Sequence, residues 1–137
     1  MPSQITPQEA LIYAMITTAA VDRKLGDDEL SRIGSIVSQL PAFKDYSHDW
    51  LVREAEECGK VLGQTDGLHD VLDLIEASLP EHLRETAYAL SVDVAATDLK
   101  VKAEEIRFLE LLAMKLDLDK LTCAAIERGA RARHQKA

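Results

Sequence analysis

The strongest constraint on this sequence is internal. Displaced against itself by 76 positions, the chain lays residues 10–40 on residues 86–116 without a gap. Ala19-Ala20-Val21-Asp22-Arg23-Lys24-Leu25 falls on Ala95-Ala96-Thr97-Asp98-Leu99-Lys100-Val101, and Asp28-Glu29-Leu30 falls on Glu104-Glu105-Ile106. The apolar positions Leu30, Ile33, Val37 and Leu40 meet Ile106, Leu109, Ala113 and Leu116. Apolar spacing alone would mean little, because any two amphipathic helices share it. Here the match also runs through the loop between the helices. It describes one helix–loop–helix unit present twice, as unit A at about residues 6–40 and unit B at about residues 81–116.

Local signals predict an all-α chain of about seven helices. Thr6-Pro7-Gln8-Glu9 combines an N-cap, a proline at the first helical position and a glutamate able to close a capping box. The first helix then runs to about Ala20. A second starts near Asp27 and ends at Pro41, which cannot continue the ladder. Ser47 is placed to cap a third that stops at Gly63. Thr65 or Asp66 opens a fourth, with Leu68, Val71, Leu72 and Ile75 inward. Pro80 separates it from a fifth over about 81–96. A sixth spans about 103–115, and Asp117 or Asp119 caps a seventh that fades into a basic tail. The eight repeat positions from Leu30 to Leu116 are expected in the core, Leu25 and Val101 are expected to pin the loops, and Trp50 is expected to anchor the third helix. With 137 residues and short connections, residues 1–137 form a single domain.

Composition narrows the function classes. Apolar residues make up 47% of the chain, which argues against disorder, and aromatics only 4%, which argues against a sheet. A net charge of −8 disfavours nucleic acid and anionic membrane surfaces, both of which call for basic protein. Five basic residues against Glu127 alone, from Lys120 to Ala137, read as the solvated, dipole-favoured end of the last helix. Cys58 and Cys123 have neither disulfide-framework nor metal spacing, and no stretch reaches the ~20 apolar residues of a membrane span. No membrane insertion and a cytoplasmic location are therefore expected, with no signal peptide read at the start.

The acids of the repeated loop carry the chemistry. Asp22 and Asp98 follow a helix C-terminus, where a carboxylate needs donors or a cation; Glu29 and Glu105 sit in the next first turn, where negative charge is favoured. Two roles stay open for them: a structural one, with backbone N–H groups satisfying the carboxylates, and a divalent-metal site formed by Asp22, Glu29, Asp98 and Glu105. The loop is not an EF-hand, because lysine occupies the third position in both copies, as Lys24 and Lys100.

The unit from Ala19 to Glu29, repeated from Ala95 to Glu105, resembles that of the TerB-like family, the tellurite-resistance TerB proteins and the N-terminal domain of DjlA-type co-chaperones. The resemblance covers nearly the whole chain. It departs from the family pattern after the aspartate, where the family has glycine and this chain has Arg23 and Leu99. The resemblance implies a helical domain with a role in tellurite, metal or general stress response, divalent-metal binding and no established catalysis. No cofactor is required by it.

Other constellations are sparse. His69 and Asp73 share a helix face with Asp66 and Asp70 close by, a set more often solvated than ligating. HExxH, a phosphate loop and a nucleophile elbow are all missing. The leading reading is a non-enzymatic binding module that engages a cation, or a protein partner including itself, through the acidic loops. The alternatives are a small carboxylate-dependent enzyme and a purely structural oligomerisation or scaffold domain.

Overall fold

In the computed structural model, residues 4–21, 25–97 and 101–137 are described. They form seven α-helices and no strand: α1 (Pro7–Ala20), α2 (Asp27–Gln39), α3 (Leu51–Leu62), α4 (Gly67–Ser78), α5 (Arg84–Ala96), α6 (Ala103–Lys115) and α7 (Lys120–Arg133). Short 3-10 turns at Pro41–Phe43, His48–Trp50 and Glu81–Leu83 lead into or between them. No helix among the described residues is long and apolar enough to cross a membrane.

The local signals act where they stand. Thr6 Oγ1 accepts from the Glu9 amide at 3.1 Å, and Glu9 Oε1 accepts from the Thr6 amide at 2.8 Å, so both halves of the capping box form. Asp119 Oδ1 accepts from the Thr122 amide at 2.7 Å and starts α7. Two starts differ from expectation. Ser47 caps the 3-10 turn ahead of α3, not α3 itself, through a 3.3 Å bond from the Asp49 amide. Residues 81–83 form a 3-10 turn, so α5 begins only at Arg84.

Helices α1 and α5, the first helices of the two units, make the centre. From Ala10 to Ala19 every residue of α1 is buried, as expected for a helix apolar on all sides. Helix α5 buries Ala87, Tyr88, Leu90, Ser91, Val92, Val94 and Ala95 along it. The two lie against each other more extensively than any other pair, and the remaining helices are arranged around them: α3 and α4 on α1, α7 on α5, and α6 on α5, α1 and α4. Adding 76 to the bounds of α2 reproduces those of α6.

The α6 end is a Schellman motif. Asp117 has φ 55°, the Asp117 amide donates to the Met114 carbonyl at 3.1 Å, and the Leu118 amide donates to the Ala113 carbonyl at 3.0 Å. Leu116 is buried beneath it, and its carbonyl accepts from Arg84 Nη1 at 3.0 Å.

Of the eight repeat positions, Ile33, Val37, Leu109 and Leu116 are buried, while Leu30, Leu40 and Ala113 are partly buried. Ile106 departs from the expectation, being 49% exposed. Leu25 packs against the core, but its counterpart Val101 stands 41% exposed and does not pin its loop. Trp50 is likewise 44% exposed: it lies edge-on to Tyr46 at the surface, with ring centroids 5.2 Å apart, so the anchoring of α3 falls to Leu51, Cys58 and Val61.

Candidate functional site

Four acids are the candidates named by the repeat. Asp22 and Asp98 lie outside the described residues. Glu29 and Glu105 occupy equivalent places and make equivalent bonds. Glu29 Oε2 accepts from the Gly26 amide at 3.2 Å, and Glu105 Oε1 accepts from the Lys102 amide, also at 3.2 Å. Each is the returning half of a capping box. The other half cannot form, because neither glycine nor lysine has an acceptor side chain. Glu105 is buried and Glu29 partly so.

The units also touch. Arg32 Nη1 of α2 donates to Thr97 Oγ1 at the end of α5, at 3.1 Å. The positions 76 away, Phe108 and Val21, line one apolar cleft together. Asp73 of the α4 set pairs with Lys115 at 2.5 Å, and His69 is exposed. Among the described residues, no group of three or more His, Cys, Asp or Glu side chains is placed to hold a metal.

The acid–acid encounter that the repeat does not point to lies between α1 and α3. Gln8 Nε2 donates to the carbonyls of Ala42 and Lys44, at 3.1 and 3.0 Å, holding residues 40–50 over the start of α1. Phe43 is buried there and meets Tyr46 edge-on. Beneath this cover Glu54 of α3 is only 3% exposed and neighbours the Glu9 carboxyl. Arg53 Nε stands 3.9 Å from Glu54 Oε1, and no donor reaches the buried Glu54 Oε2. The Tyr46 hydroxyl is buried with no hydrogen-bond partner.

This environment calls for a proton. Burial is the largest influence on Glu54. The hydrogen bond to Glu9 and the Glu9 charge act in the same direction, Arg53 acts against them, and the carboxyl is pushed up to about 7. Burial also works upward on Glu9, but the Thr6 amide and the Glu54 side chain outweigh it, and Glu9 is held below the ordinary carboxylate value. Of the two acids Glu54 holds its proton the more strongly, and Glu9 accepts from the Thr6 amide. A protonated Glu54 also removes the cost of a bare buried carboxylate oxygen. Burial raises Tyr13, Tyr46 and Cys58 around the pair, Cys58 to about 12, so these groups stay neutral and none is a ready nucleophile. Glu9 and Glu54 are 45 positions apart in the chain, and the only sequence signal was an acid at an otherwise inward position of α3 beside Leu51 and Cys58. Compared with family profiles, curated proteins and solved structures, the chain has no match.

Proposed function

We propose that this chain is a non-enzymatic binding module of the TerB-like kind, engaging a divalent cation or a protein partner through its two acidic loops, in a cytoplasmic response to tellurite, metals or general stress. The observation that carries the reading is the repeated loop-to-helix bond, Glu29 to the Gly26 amide and Glu105 to the Lys102 amide at the same distance. The same bond in two copies of one loop, 76 positions apart, supports a module with paired, equivalent loops. Glu54, only 3% exposed, sits where a substrate does not reach it, so the carboxyl pair does not favour an enzyme.

The deciding experiment measures melting temperature in chelator and with calcium, magnesium, manganese or zinc, for the wild type and for Asp22→Asn and Asp98→Asn. A ligand that binds only the native state raises its melting temperature. The cation reading expects a rise in the wild type that is lost in both variants. Flat curves for all four ions would eliminate the cation and leave the protein partner. On the structural reading of the two aspartates, each variant instead loses about 1 kcal/mol or more of stability even in chelator, and the ions change nothing.

A further inference from the structure

The two units are closed off differently, and the difference opens a groove. Helices α2 and α3 are joined by residues 40–50, which carry two 3-10 turns and lie against α2. His48 and Leu51 press so closely on Gly34 that a Cβ there would come within 2.5 Å of His48 Nε2. In the second unit the counterpart of Gly34 is Glu110, and α6 joins α7 through residues 116–119 alone, wound into the Schellman turn. Four residues span at most ~14 Å even when extended, so this connection cannot fold back over α6.

The face left over is apolar. Val101 and Ile106 form, with Val92, Ala95 and Leu109, the floor of a groove of about 870 Å³ between α5, α6 and α7. Arg131, His134 and Lys136 also line it, in a chain whose net charge is −8. Asp93 engages Arg133 at 2.6 Å and lies 3.4 Å from His134. Among the described residues, Arg131 and Lys136 have no ion-pair partner. Glu110 and Glu127 also line the groove, and Glu127 is occupied in accepting from the Tyr88 hydroxyl at 2.6 Å.

We propose that this groove binds a small anionic amphiphile, its hydrocarbon chain along Val101 and Ile106 and its anionic head at Arg131 and Lys136. The volume falls in the range of small-molecule pockets, ~300–1,000 Å³. An apolar floor bordered by the cations Arg131 and Lys136 matches one chain and one negative head group.

Dodecanoate, below its micelle concentration, is the probe, with dodecyltrimethylammonium as the cationic control; both are titrated calorimetrically. The expected result is saturable one-to-one binding of dodecanoate and at least about tenfold weaker binding of the cationic control. Ile106→Glu abolishes the binding, and the double variant Arg131→Glu/Lys136→Glu weakens it at least about tenfold. All three positions are exposed, and circular dichroism checks that each variant retains its helices. Equal affinity for the two head groups, unchanged binding in Ile106→Glu, or no saturable binding overturns the proposal. So does a wild-type dimer in sedimentation that Ile106→Glu converts to monomer, because a second copy would then occupy the groove.

Discussion

Replacing Glu54 with glutamine keeps the side chain's shape, and its amide N–H can still donate to Glu9, but it removes the ionisation. In the folded chain the Glu54 carboxyl is pushed up to about 7 from an ordinary 4.5. Between those values the folded protein holds a proton that the unfolded chain has released, so folding is favoured by low pH. The contribution is fully present below about 4.5 and is lost as pH rises through about 7. At about 1.4 kcal/mol per tenfold change in proton affinity, the gap corresponds to on the order of 3 kcal/mol at its upper end. Urea denaturation of the wild type and Glu54→Gln at intervals from pH 4.5 to 8.5 reads the effect. The two proteins should have similar stability at the acid end. Above pH 8 the wild type should fall below the variant by about 1–3 kcal/mol, an order-of-magnitude range. Contributions from groups far from the pair are common to both proteins and cancel in the difference. Parallel stability curves across the whole range would refute the assignment of the proton to Glu54. A variant destabilised equally at every pH would show that the site needs a carboxyl for its shape rather than its proton.

Three further outcomes are expected. Ile33→Ala and Leu109→Ala should each cost about 2–5 kcal/mol in chemical denaturation, whereas Ile106→Ala, at a half-exposed site, should cost no more than about 0.5 kcal/mol. Asp117→Gly should raise stability by about 0.5–1 kcal/mol, read as a higher urea midpoint, because Asp117 sits at φ 55° where only glycine is free of Cβ strain. Glu29→Ala and Glu105→Ala should each lower stability by about 1 kcal/mol in chelator, since each leaves a helix-start amide without its acceptor.

The chain's helices were legible because the signals that start and stop a helix are local. Thr6 and Glu9 sit within one turn of the bonds they make, as do Asp119 with Thr122 and Gly63 with the end of α3, so α1 and α7 begin, and α3 ends, where those residues place them. The 76-residue displacement was equally open to reading, and it carried the buried pair Ile33 and Leu109 and the equivalent bonds of Glu29 and Glu105. Period and capping say which face of a helix is apolar, but they do not say whether anything arrives to cover it. That depends on chain reach. Residues 40–50 are long enough to lie on α2, while residues 116–119 are too short to lie on α6, and so Ile106 and Val101 face a groove. Trp50 was misplaced for the same reason, because the 3-10 turn at residues 48–50 carries its ring outward beside Tyr46. The Glu9–Glu54 pair belongs wholly to tertiary structure. Its chemistry arises only when α3 packs on α1 and residues 40–50 close over both, because only then does removal from water shift the proton between two acids 45 positions apart.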